Sequence, residues 1–94
     1  MHAVVRRYAG TDLANQLAPR KDEIISLISE APGFRAYYMI QAGNDSISVT
    51  VCDDESGTQR SSELAAGWIR ENMPELASSP PEISAGEVAI SSMG

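Results

Sequence analysis

Four stretches of this chain have the length and apolar content of strands, and two others repeat apolar residues at helical spacing. His2 to Tyr8 is short, rich in apolar and aromatic residues, and ends at Gly10, which predicts a first strand. Thr11 or Asp12 can cap the helix that follows, since either side chain accepts from the free backbone N–H groups of a first turn. Leu13, Leu17, Ile24 and Ile28 then form one helical stripe, with Arg20, Lys21, Asp22 and Glu23 to its side. Pro19 removes a backbone hydrogen bond and clashes with the preceding turn, which predicts a kink or two abutting helices. Ala31-Pro32-Gly33 ends the pattern, because a residue before proline disfavours helix and glycine suits the exit turn.

Phe34 to Ala42 and Ser46 to Cys52 are strand-like runs joined through Gly43-Asn44. A two-residue turn there pairs Ile40 with Ile47, Tyr38 with Val49 and Ala36 with Val51. The other face then pairs Tyr37 with Thr50 and Met39 with Ser48. Asp53-Asp54-Glu55-Ser56 suits a helix N-terminus, where negative charge complements the dipole. The helix it opens carries Leu64, Ala65, Trp68 and Ile69 on one face and ends near Met73-Pro74. Glu75 to Glu82 reads as a Ser/Pro-rich connector with little regular structure, and Ile83 to Ser91 as a last strand.

The order β-α-β-β-α-β is the split βαβ arrangement, an α+β fold of ferredoxin-like type with an antiparallel four-stranded sheet. Right-handed crossovers send both helices to one face and leave the other open. The expected open face carries Tyr37, Met39, Ser48, Thr50 and Cys52, with Tyr38 and Ile40 turned towards the helices. That face is too apolar for water, so a second copy is expected to cover it sheet to sheet, giving a homodimer in the form of a dimeric α/β barrel.

Composition narrows the function classes. Ninety-four residues fit one domain, 1–94. A chain of this length buries roughly 60 to 65% of its unfolded surface, so the core is modest and a dimer adds to it. The 43% apolar content is far too high for a disordered chain. Seven basic and thirteen acidic residues, a net charge of −6, argue against nucleic acid and against an anionic membrane surface. Arg6-Arg7 and Arg20-Lys21 read as ordinary surface pairs. Arg6 and Arg7 fall on opposite faces of the first strand, so at most one can steer an anionic ligand. The single cysteine, Cys52, allows neither an internal disulfide nor a thiolate metal cluster. MHAVVRRYAG has no signal-peptide pattern, and no apolar run approaches the ~20 residues of a membrane span. A cytoplasmic protein is expected.

Among candidate side chains, Trp68 can stack on a planar ligand, although its spacing with Leu64 and Ile69 is first of all the signature of a core aromatic. Tyr8, Tyr37 and Tyr38 offer hydroxyls, and the adjacent pair must point to opposite faces. Asp53, Asp54 and Glu55 raise the Cys52 thiol pKa, which opposes nucleophilic activation. These carboxylates have no spaced partners and read as a helix cap, so no metal site is expected. One histidine, His2, gives no support to a Ser-His-Asp triad.

Pro-Gly-Phe-x-x-Tyr-Tyr at Pro32 to Tyr38, the hairpin, the acidic turn and Ala-x-x-Trp-Ile-Arg-Glu-Asn around Trp68 together carry a resemblance. From the first strand to Glu87-Val88 the chain resembles the antibiotic biosynthesis monooxygenase-like domains of the dimeric α/β barrel superfamily. In characterised members, a Trp on the second helix works with a nearby Asn in a pocket between helices and sheet. They oxidise a polycyclic aromatic substrate with molecular oxygen and no metal or flavin. Trp68 matches that Trp, but Leu64 stands where the Asn belongs, and Asn72, one turn later, is the nearest amide. Haem-degrading relatives use a histidine on or just after this helix, and Asn72 to Ser79 contains none. The resemblance thus implies two readings, neither with a cofactor. One is a cofactor-free monooxygenase for a planar aromatic substrate, its pocket lined by Trp68, Tyr38 and Tyr8 with Asn72 near. The other is a non-catalytic ligand-binding or interaction module, and in either case the partners are a second copy and a small hydrophobic ligand.

Overall fold

Pro19 breaks the first helical pattern as its chemistry demands. In the computed structural model, which describes residues 1–92, α1 (Leu13–Leu17) passes through a 3-10 turn at Ala18–Arg20 into α2 (Lys21–Ile28). These follow β1 (His2–Tyr8) and precede β2 (Phe34–Ala42) and β3 (Asp45–Cys52). The hairpin register is the expected one: Ile40 pairs with Ile47, Tyr38 with Val49, Tyr37 with Thr50 and Met39 with Ser48. Gly43 takes a φ of +61° at the turn, a conformation that costs glycine nothing.

α3 (Glu55–Asn72) opens on Asp54, whose carboxylate accepts from the Ser56 backbone N–H at 3.1 Å. The segment expected to be an irregular connector contains one further helical turn, α4 (Pro74–Ala77). Pro74 sits at its first position, where a missing N–H costs nothing and the fixed φ favours the turn. β4 is Glu82–Glu87, shorter than the expected Ile83 to Ser91. The Val88 N–H adds one bond to the Met1 carbonyl, and Ile90 beyond it is exposed. The sheet order is β2-β3-β1-β4 with every pairing antiparallel, which makes the chain an α+β ferredoxin-like fold with β1 in its interior.

One expectation is inverted. His2, Val4, Arg6 and Tyr8 point under the helices, and through the β1–β3 pairing so do Ser46, Ser48, Thr50 and Cys52. Tyr37 and Met39 pack against the core, whereas Tyr38 is 61% exposed and Ile40 50% exposed on the open face. A hairpin register fixes which residues share a face but not which face meets the helices. Ser48 and Thr50 turn inward where they accept hydrogen bonds from Arg6, and Ser46 where it accepts from the Ala14 backbone N–H. The open face is consequently more apolar than expected, with Val5, Tyr38 and Ile40 exposed among half-buried Ile47, Val49 and Val51.

The hydrophobic core lies between sheet and helices, formed by Tyr8, Leu13, Leu17, Ile24, Ile28, Trp68 and Ile69. α3 descends closely onto the sheet at Gly57. A Cβ there would lie 2.2 Å from the Pro32 carbonyl oxygen and 2.7 Å from Cys52 Cβ, so only glycine fits.

Candidate functional site

Arg6 is the most unusual residue in the molecule. It stands in an interior strand, 1% exposed, although arginine almost never lies this deep without a partner. Four neutral hydroxyls surround its guanidinium. Nε donates to Ser48 Oγ at 3.1 Å, Nη1 to Ser61 Oγ at 3.2 Å and Ser62 Oγ at 2.8 Å, and Nη2 to Thr50 Oγ1 at 2.6 Å. Ser48 and Thr50 arrive from β3, and Ser61 and Ser62 from the second and third turns of α3. Burial pushes the Arg6 pKa below its ordinary value, with Tyr8, Tyr37 and Cys52 partly opposing that effect. Arginine nevertheless keeps its proton in proteins, so the site holds a fixed positive charge.

Beside Arg6 a cavity of about 230 Å³ opens between the sheet, α3, α4 and β4. Arg6, Tyr8 and Ser62 give it polar atoms, and Ile69, Leu76 and Ile83 are among its apolar walls. Arg70 also lines it, and none of its lining residues is acidic. Burial raises the Tyr8 phenol above its ordinary value of 10.0, and the neighbouring Arg6 charge pulls it part of the way back. Tyr37, half-buried on the edge strand β2, is pushed up to about 12 by burial. Both phenols are therefore neutral donors at physiological pH.

A wider groove of about 490 Å³ adjoins this cavity along Ser62 and Ile83. In its wall, His2 Nδ1 lies 2.7 Å from Thr58 Oγ1, and His2 Nε2 lies 3.8 Å from a Glu55 carboxylate oxygen. A third hollow, of about 270 Å³ between α1, α2 and β2, has Lys21 as its only charged lining residue and no buried charge.

The residues singled out from the sequence are not gathered in one place. Tyr8 lines the Arg6 cavity. Trp68 lies on the other flank of α3, 9% exposed, where its indole N–H donates to Glu23 Oε2 at 2.9 Å. The Arg20 guanidinium carbon stacks 4.8 Å from the ring centroid. The space beside Trp68 is only about 20 Å³, enough for a single water. Asn72 is exposed, and its side-chain amide donates back to the Trp68 carbonyl at 2.9 Å. Tyr38 is corrected to the open face and lines none of these cavities. Cys52 is fully buried, its thiol pKa raised first by burial and then by Asp53 and Asp54, as the acidic turn implied.

Arg6 was read from the sequence as a surface residue. The alternation that buries Val4 and Tyr8 carried the contrary signal, since it places Arg6 on their face. Among the described residues no cluster of three His, Cys, Asp or Glu is placed to hold a metal ion. No helix among them is long and apolar enough to cross a membrane.

No family model matches the chain, and no curated protein matches it. Solved structures do. The chain is similar to a protein of unknown function from Nitrosomonas europaea, at 25% identity and a TM-score of 0.70, covering 96% of this chain and 90% of that one. It is similar to a mutant form of SnoaB, a cofactor-independent oxygenase from Streptomyces nogalater, at 14% identity and a TM-score of 0.59, covering 96% and 94%. A dimeric ferredoxin-like protein from an uncultured marine organism matches with the same four values. The fold is thus the ferredoxin-like fold that these structures share. At these identities the likeness carries architecture and leaves activity to the site.

Proposed function

We propose that this chain is a small-molecule-binding protein that works as a homodimer, with one ligand in the cavity beneath α3 of each protomer. The observation that carries this reading is Arg6, a buried charge with no carboxylate partner at the wall of an apolar-sided cavity. Burying a charge without a counter-ion costs roughly several kcal/mol even when it is hydrogen-bonded. Such an arrangement persists most readily where it serves binding. The volume of about 230 Å³ is below the roughly 300–1,000 Å³ of drug-sized sites, so the ligand is of single-ring size rather than polycyclic.

The dimer is supported by the exposed Val5, Tyr38 and Ile40 on one sheet face, and by the dimeric ferredoxin-like neighbour. Light scattering is expected to return twice the chain mass. A fragment screen followed by NMR on labelled protein tests the site. Shifts gathered at Tyr8, Ser62, Ala66 and Ile83 are expected, and hits confined to other surfaces would sink the reading.

A cofactor-independent oxygenase is the second reading, favoured by the Arg6 charge beside Tyr8 and by the SnoaB likeness. Oxygenation without a cofactor requires the substrate itself to reduce oxygen. A fixed cation that holds the electron-rich anionic form of a phenol or enol would promote that step. Oxygen uptake with a cavity-bound phenol separates this reading from simple binding.

A further inference from the structure

The chain has six arginines, and four of them are neutralised. Arg7 pairs with Asp45, Arg20 with Glu23, Arg35 with Asp53 and Arg60 with Glu63. The other two, Arg6 and Arg70, have no ion pair among the described residues, and both line the same cavity. That coincidence occurs in a chain whose thirteen acidic residues give a net charge of −6. The cavity has therefore been kept free of carboxylates while the rest of the surface is rich in them.

We propose that the cavity selects a small monocarboxylate with an apolar body, the carboxylate meeting Arg6 and Ser62 and the rim charge of Arg70. The donor count supports one carboxylate rather than a phosphate. A guanidinium has five N–H groups, and the four hydroxyls around Arg6 occupy four of them. The fifth is shared with the Tyr8 phenol oxygen, so a ligand carboxylate meets the Arg6 charge at that shared N–H. Ser62 accepts from Arg6, and its own O–H has no acceptor among the described residues, so it can donate to the second carboxylate oxygen. Tyr8, held neutral by burial, adds a third donor. Ile69, Leu76 and Ile83 then face the apolar body. Hydrogen bonds between charged partners are roughly twice as strong as neutral ones, so the acid outcompetes a neutral molecule of the same shape.

This proposal rests on the cavity being a ligand site, and its test separates the two ideas. Labelled protein, the whole chain, is titrated at low salt with benzoate and phenylacetate, and with benzamide and phenylacetamide as neutral shape mimics. The acids are expected to shift resonances of Tyr8, Ser62, Ala66 and Ile83, with dissociation constants at least about tenfold below those of the amides. Arg70→Gln, at the exposed rim, is expected to weaken the acids about threefold more than it weakens the amides. Arg6→Gln is expected to abolish the preference, and Arg70→Gln keeps the test valid should that variant misfold. Amides that bind in the cavity as tightly as the acids overturn the anion proposal and leave the cavity reading standing. Shifts from neither class at these residues overturn both.

Discussion

Gly57 and Gly67 lie on the same helix, yet alanine should act oppositely at the two positions. Replacing a helical glycine by alanine gains about 0.8–1 kcal/mol from backbone entropy. At Gly67 nothing opposes that gain, since the nearest atom to a new Cβ is Arg70 Nη2 at an ordinary 3.8 Å. At Gly57 the new Cβ would lie 2.2 Å from the Pro32 carbonyl oxygen, a backbone atom that cannot rotate away. Cys52 Cβ, at 2.7 Å, belongs to a strand bonded on both sides, so the sheet cannot yield either. The helix must retreat, and overpacking of this kind costs typically about 1–3 kcal/mol. With rigid neighbours on both sides the cost belongs at about 3 kcal/mol, leaving a net loss of about 2 kcal/mol after the propensity gain. A domain of this size moves by about 4–8 °C per kcal/mol. Gly57→Ala is thus expected to melt about 8–16 °C lower by circular dichroism, and Gly67→Ala about 3–8 °C higher. Lifting α3 also moves Ser61 and Ser62 away from Arg6, so the first variant should bind cavity ligands more weakly. A Gly57→Ala protein that melts at or above the parent temperature would refute the close-approach argument.

Trp68→Phe removes the indole bond to Glu23 and weakens the stack with Arg20, and is expected to cost about 2 kcal/mol in urea unfolding. Because Trp68 does not line the Arg6 cavity, affinity there should hold within about twofold, and a large loss would return Trp68 to the site. Glu23 is held below its ordinary 4.5 first by the Trp68 N–H, Asp45 below 3.8 first by the Gly10 N–H, and Asp54 below 3.8 first by Ser56. A lowered folded pKa gives stability that is present above the unfolded value and lost as pH falls through the folded one. Melting temperature should therefore decline as pH drops below about 4.5, with a shallower decline in Trp68→Phe. A flat profile from about pH 5 to about pH 3 would contradict these three contacts.

Much of the fold was legible because local chemistry and topology agree. Pro19 had to interrupt the first helix, Gly43-Asn44 had to turn, and Asp54 had a backbone N–H to cap. The register followed from the turn length alone. The face did not, since Ser48 and Thr50 look like solvent residues until Arg6 is placed opposite them. One misassigned face carried Tyr38 into an expected pocket and Arg6 out of it. The site was less legible because its members lie 42 to 56 residues apart and become chemically related only after the sheet and α3 assemble. Trp68 drew notice by its size, although a large aromatic marks packing more often than recognition.

The interior position of β1 also governs when the molecule can become itself. β1 leaves the ribosome ahead of both its neighbours, β3 on one side and the much later β4 on the other. Until Glu82–Glu87 emerges, one full edge of β1 shows unpaired N–H and C=O groups beside Ala3, Val4 and Val5, a ready template for another chain. Contacts this distant in sequence also close slowly. Synthesis thus leaves a period of exposure whose length depends on translation of the Ser/Pro-rich stretch before β4. Slow codons there would favour aggregation, and a chain cut before Ile83 would have the Arg6 charge but never the wall that makes a cavity of it.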